Sequence, residues 1–143
     1  MIINIKSHLT AKSRVSPSKP MQILNDKKLL IGRMLDYGCG RGFDAKHFEM
    51  ESYDIYYNPT MPTGKFNTIT CNYVLNVIDN NETIKEILSK LKGLLKKDGT
   101  CYITVRRDVL VDGFTSKGTF QRNIKLELPI LKENKLYCIY ILK

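Results

Sequence analysis

The stretch MLDYGCGRGFDAKHF, Met34 to Phe48, sets a short apolar run with an acid against three alternating glycines and then begins a helical pattern. A strand that turns directly into a helix brings unpaired backbone N–H groups to the end of a sheet. Gly38, Gly40 and Gly42 carry no Cβ, so left-handed backbone angles cost little there and a ligand is able to lie against the main chain. The spacing narrows the ligand. A dinucleotide fingerprint needs GxGxxG, whereas the third glycine here arrives one residue early, and no GK[ST] follows to make a phosphate loop.

Working outward, RMLDY reads as a strand, Phe43–Glu49 as a helix with Ala45 and Phe48 facing inward, and ESYDI as a weaker strand. YNPTMPTGK, with two prolines and a glycine, is a loop. FNTITCNYVLNVI, Phe66 to Ile78, is dense in β-branched and aromatic residues and reads as a central strand that leaves its sheet near Asn72. A helix is expected over Glu82–Lys97, where Ile84, Ile87, Leu88, Leu91, Leu94 and Leu95 share a face and lysines take the other. Asn80 and its neighbours offer the cap in front and Gly99 a left-handed stop behind. TCYITV is another buried strand. NIKLELPIL and LYCIYIL, joined by KENK, read as an antiparallel hairpin whose second strand is buried on both faces. Upstream, residues 1–20 form an irregular basic arm, followed by a short helix over Met21–Leu30. The order is that of an α/β layered sheet in a single domain, 1–143, with its core at 34–105 and the hairpin at 123–142.

The formal charge of +9 is unevenly spread. Residues 1–33 hold seven Lys and Arg against Asp26 alone, and 106–143 hold eight against four acids, whereas 34–105 is nearly balanced. A polyanion such as nucleic acid is therefore expected at the flanks, through Lys12, Arg14, Lys19, Arg106, Arg107, Lys117 and Arg122. The segment TSKGTFQR, Thr115 to Arg122, adds hydroxyls and Phe120 suited to phosphate contacts and base stacking. Cys39, Cys71, Cys101 and Cys138 are scattered without a CxxC pair and read as reduced, packed thiols; neither a disulfide framework nor a metal site is indicated. No stretch has the length of a membrane span and the start lacks a secretory apolar block, so a cytoplasmic protein is expected.

LDYGCGRG, with Asp36 two residues before the first glycine, resembles the first motif of class I S-adenosylmethionine-dependent methyltransferases. The resemblance implies a compact Rossmann-like sheet and S-adenosylmethionine as cofactor, held around Asp36, Gly38, Cys39, Gly40 and Gly42. It also implies an acid at the end of the second strand that grips both ribose hydroxyls, because one carboxylate accepts two O–H bonds. Asp54 is the candidate, with Asn58 second. CNYVLNVI resembles the family's fourth-strand motif, which would set Asn72 and Tyr73 beside the transferring methyl. His8, in the arm, is a further catalytic candidate; His47 is more ordinary as a packing residue.

HLTAKSRVSPSKPM, LDYGCGRGFD, YDIYYNP and YVLNVIDN together resemble the DNA phosphorothioation-associated methyltransferase group and its phage-like relatives, over roughly Ile5 to Glu82. Eleven residues, Ile55 to Lys65, are too few for the usual helix and third strand, so that strand and its adenine-reading acid are expected to be missing. Adenine would then rest on the Tyr56–Pro62 loop and on Phe43. The Asn-Pro-Pro-aromatic signature of amino-methylating DNA enzymes and the Pro-Cys of cytosine C5 enzymes are both absent. A small-molecule or protein acceptor, and a non-catalytic binding protein, stand as alternatives to nucleic acid.

Overall fold

A computed structural model describes residues 15–115 and 118–143. Its centre is a six-stranded sheet in the order β2-β1-β3-β4-β8-β7. The strands are β1 (Met34–Tyr37), β2 (Glu51–Tyr53), β3 (Phe66–Asn72), β4 (Leu95–Arg106), β7 (Ile130–Glu133) and β8 (Tyr137–Leu142). β1 to β4 run parallel, and β8 and β7 close the sheet antiparallel. A separate two-stranded ribbon pairs β5 (Gly113–Phe114) with β6 (Phe120–Gln121).

Alternation along the strands divides the core between two faces. Leu35, Ile69, Cys71, Cys101, Ile103 and Val105 meet helix α3 (Asn81–Gly93) through Ile84, Ile87 and Leu91. Tyr102, Tyr137 and Ile139 meet Met21 and Leu24 of α1 (Lys19–Asp26) and Ala45 of α2 (Phe43–His47). Three cysteines are buried and Cys39 half-buried, all as free thiols.

Four expectations shift. The first helix starts two residues early, because Pro20 supports a first helical turn, and it ends at Asp26. α3 ends at Gly93 and not Lys97; Leu94 and Leu95 leave the helix, and Leu95 already pairs with Phe66 as β4 begins. Gly99 is no helix stop. It lies in β4 just beyond an irregularity, where Phe66 and Thr68 oppose Leu95 and Thr100, and the left-handed residue of that bulge is Asp98, at φ 66°. The hairpin uses only the end of NIKLELPIL, since β7 starts at Ile130, while β8 is buried on both faces as its apolar run implies.

On its outer side β2 is the sheet edge, with no further strand among the described residues. The chain returns from β2 to β3 without a helix and is fastened by Arg33. Its guanidinium grips both oxygens of Glu51 at 2.6 and 2.8 Å, donates to the Thr63 carbonyl at 2.7 Å, and lies 4.3 Å over the Phe66 ring.

A Cβ on Gly99 would lie 2.9 Å from the backbone oxygens of both Lys96 and Phe66, neither of which yields cheaply. Gly99→Ala is expected to lower stability by about 1–3 kcal/mol in denaturant titration, the usual range for overpacking a tight site.

Candidate functional site at the carboxyl ends of the strands

The glycine turn after β1, the turn after β2, the end of β3 and the end of β4 all open at the same end of the sheet, where open α/β sheets receive ligands. Gly38, Gly40 and Gly42 all have positive φ, at 77°, 57° and 86°, so the glycines are required by backbone geometry as the spacing implies. Their surroundings differ. A Cβ on Gly38 would meet Val74 Cγ2 at 2.3 Å, so that space is filled by the chain itself, whereas around Gly42 nothing lies within 4 Å. Gly42 is the N-cap of α2.

The turns after β1 and β2 are bonded into one unit. The Tyr53 carbonyl accepts the N–H of Gly38 at 2.7 Å and of Cys39 at 3.0 Å. Asp54 Oδ2 accepts the Gly40 N–H at 2.9 Å, and Oδ1 accepts those of Tyr56 and Tyr57 at 2.9 and 3.0 Å. Three of the roughly four acceptor directions of a carboxylate are thus used, leaving one on Oδ2. Gripping two hydroxyls at once would require one of these N–H groups to let go. Asn58 is fastened elsewhere: its side-chain amide donates to the Ser52 carbonyl and hydroxyl at 3.1 and 2.9 Å, and its backbone bridges Asp54. Next to this unit, Tyr56 and Tyr57 stack edge to face at 4.8 Å, and the Arg41 guanidinium lies 5.4 Å over the Tyr57 ring.

Asp36 is buried in β1 and accepts a 2.9 Å bond from Thr70 Oγ1 of β3. Burial pushes its carboxyl up to about 7; the Thr70 bond opposes that, and the charges of Asp44 and Asp54 add to it. Burial likewise pushes the Cys39 thiol up to about 12, which keeps it protonated and unreactive.

Asn72 ends β3 in register with Thr104 of β4. Both polar atoms of its side-chain amide and the Thr104 hydroxyl are buried without a hydrogen-bond partner among the described residues. Buried polar groups are nearly always satisfied, so this pair marks a place where a water or ligand belongs. Tyr73 follows at φ 59°, a left-handed angle that costs about 1–3 kcal/mol outside glycine. It is held there by its N–H bond to the Thr104 carbonyl at 2.8 Å.

The remaining candidates divide. Arg107 does not face a partner: its guanidinium is bound by Glu133 at 2.7 Å, the Ile124 carbonyl at 2.6 Å, Asn123 at 3.1 Å and the Tyr140 hydroxyl at 2.5 Å. Arg106 is gripped by both oxygens of Asp108 at 2.7 and 3.0 Å. Lys19 is exposed on α1, and Arg122 is half-buried just after β6. His47 is exposed and stacks on Phe43 at 5.9 Å and on Phe48 at 4.7 Å. His8, Lys12, Arg14 and Lys117 lie outside the described residues.

A family described as "Methyltransferase domain" matches residues 11–128. The chain belongs to this methyltransferase-domain family. Solved structures agree in fold. The 1,6-didemethyltoxoflavin N1-methyltransferase of Burkholderia thailandensis, with bound 1,6-didemethyltoxoflavin and S-adenosylhomocysteine, superposes at TM-score 0.64 with 15% identity over 86% of this chain and 76% of that one. The DhpI complex with S-adenosylhomocysteine gives 0.62 and 10% over 85% and 81%. The N-methyltransferase NodS of Bradyrhizobium japonicum, also with S-adenosylhomocysteine, gives 0.53 and 9% over 85% and 83%. A search of curated proteins by sequence finds no match.

Sequence reading missed Thr70 and Thr104, whose period-2 placement beside Asp36 and Asn72 was the available signal. It also missed Ser18, which clasps Asp44 of α2 by N–H at 3.0 Å and hydroxyl at 2.8 Å and so fixes the arm's exit beside the glycine turn.

The weakened acidity of the buried Asp36 predicts a pH trend. Between about pH 4 and 7 the folded chain holds a proton that the unfolded chain has released, so stability falls as pH rises through that window. Asp36→Asn removes the penalty, and its melting temperature should exceed that of the native chain by a margin that grows from pH 4 to pH 8.

Proposed function

We propose that the chain binds S-adenosylmethionine across the turns after β1 and β2 and methylates a small molecule at nitrogen. The observation that carries the cofactor reading is the fused glycine turn, in which bare backbone at Gly40 and Gly42 adjoins the Asp54 carboxylate. The orphaned Asn72 amide at the end of the neighbouring strand supports it independently. Asp54, with one acceptor direction open, would take a ribose hydroxyl, Asp36 and the Gly38–Gly42 turn would border the amino-acid end, and the Tyr56–Tyr57 pair would adjoin adenine. Asn58 supports the loop without touching the ligand.

When bound, the cofactor supplies a methyl group already activated on a sulfonium. The chain's own task is alignment and exclusion of water, and a base is needed only if the attacking atom carries a proton. An acceptor with a free lone pair, such as an amine or ring nitrogen, needs no such base and suits the site best. Asn72, with an unpartnered donor and acceptor, would orient that atom, and Tyr73 would form the adjoining wall. Leu110, Val111, Phe114 and Leu136 are exposed on the segments that follow β4 and precede β8, which favours an acceptor with an apolar body. That two of the fold relatives are named as N-methyltransferases points the same way.

Nucleic acid is the second reading, favoured by the +9 charge and by the resemblance to the phosphorothioation-associated group. Against it, two guanidiniums at the carboxyl end of β4, Arg106 and Arg107, are engaged by Asp108 and Glu133. A cofactor-binding protein without turnover is the third, motivated by the missing strand outside β2.

Calorimetric titration with S-adenosylhomocysteine should give micromolar binding that Gly40→Val abolishes without changing the far-ultraviolet spectrum. Absence of binding to the native chain would overturn the cofactor reading. Methyl transfer from labelled cofactor to oligonucleotides but to no amine would exchange the first reading for the second.

A further inference from the structure

The end of the sheet opposite the glycine turn has its own concentration of charge. A shallow open depression of about 410 Å³ is lined by Lys92, Leu95, Lys96, Lys97, Asp98, Gly99 and Lys143. These lysines come from three separate places: the last turn of α3, the bulge that opens β4, and the residue after β8. Lys92 alone is explained by the negative end of a helix dipole. Lys96 and Lys97 are thrust outward because the bulge inserts extra residues against β3, and Lys143 is held by a 3.0 Å bond from its ammonium to Thr100 Oγ1.

None of these ammonium groups has an ion pair among the described residues, although Asp98 shares the depression. At the other end of the sheet Arg106 and Arg107 are paired with Asp108 and Glu133. The side-chain charge of the depression is net positive by three, two of it from the segment 34–105 whose overall composition is nearly balanced. Unpaired like charges gathered in one concavity repel one another, and the arrangement is relieved by a polyanion.

We infer that this basal lysine depression is a docking site for the phosphate backbone of a nucleic acid, separate from the methyl-transfer site. Backbone recognition needs several flexible point charges and no base-reading side chains, and that is what the lysines supply. A membrane surface is a poorer occupant, because Leu95, the one aliphatic side chain lining the depression, is itself buried and nothing there would insert into lipid. The inference does not depend on the acceptor: a tethered nucleic acid would concentrate the protein without being methylated at the point of contact.

Fluorescence anisotropy of a labelled 20-nucleotide single strand, read from about 30 to 200 mM salt, tests this. Two variants with the same change in net charge are compared: Lys92→Gln/Lys96→Gln/Lys97→Gln in the depression, and Lys125→Gln/Lys132→Gln/Lys135→Gln on the C-terminal hairpin and its approach. The basal variant should bind at least tenfold more weakly at 50 mM salt, with a log–log salt slope shallower by about 2, as expected for three lost phosphate contacts on a single strand. The hairpin variant should change less than threefold, and both should bind S-adenosylhomocysteine as the native chain does. Equal weakening of the two would overturn the inference in favour of bulk charge. So would failure of the native chain to bind the strand, or binding of inorganic tripolyphosphate alone. Loss of S-adenosylhomocysteine binding by the native chain would bear only on the cofactor reading.

Discussion

The functional end of this molecule depends on one cluster of backbone hydrogen bonds. Tyr53 and Asp54, where β2 leaves the sheet, collect the N–H groups of Gly38, Cys39 and Gly40, where β1 leaves it. A turn of three left-handed glycines has no regular partner for its donors, and unpaired buried amides are costly. Here they are spent on the neighbouring turn. The two turns therefore hold their shape together, and the Asp54 carboxylate is oriented by the same backbone it would share with a ligand. The Thr70 bond to Asp36 extends the constraint to the third parallel strand, so one hydrogen-bonded patch spans β2, β1 and β3.

That patch also explains how the sheet tolerates its shortened edge. A parallel crossover normally carries a helix that covers the strands. Between β2 and β3 the cover is replaced by a loop with two attachments. Asn58 folds it back on Asp54 at one end, and Arg33 gathers Glu51, Thr63 and the Phe66 ring at the other. The edge strand is only three residues long and twisted into this loop, which limits its appeal as a template for another chain's strand.

The local pattern made most of the architecture legible. Alternation and helical spacing locate β1, β3, β4, β8 and α3 because each buries a well-defined stripe against the others, and the absence of a further strand outside β2 among the described residues agrees with the short connection from β2 to β3. What escaped depends on contacts remote in sequence. The early end of α3 is decided by pairing of Leu95 with Phe66, which outweighs the good helix propensity of the lysines that follow. Gly99 looks like a helix stop in isolation, yet it is bare because the Phe66 carbonyl crosses it. The space a Cβ on Gly38 would take is filled by Val74, a contact remote in sequence. In the site, the residue types of Asp36, Asp54 and Asn72 were readable, whereas the engagement of Asp54 by three amides and the orphaned Asn72 amide exist only once strands are side by side.

Charge shows the same limit more sharply. Counting along the chain assigns the positive excess to the two flanks and leaves the middle neutral, but partners form in space. Arg106 and Arg107, from a basic flank, are cancelled by Asp108 and Glu133 and serve to hold the loop after β4 and the C-terminal hairpin. Lys92, Lys96 and Lys97 of the balanced middle have no ion pair among the described residues, while Asp36, Asp44 and Asp54 are gathered at the other end of the sheet around the glycine turn. The fold thus separates what the sequence intermixes: an acidic, largely neutralised end suited to a cationic cofactor, and a basal end with unpaired ammonium groups. A cofactor carrying a sulfonium suits the first end, whereas the unpaired ammonium groups of the second would favour an anion, so the proposed phosphate-backbone site would lie at the opposite end of the sheet from the cofactor turn.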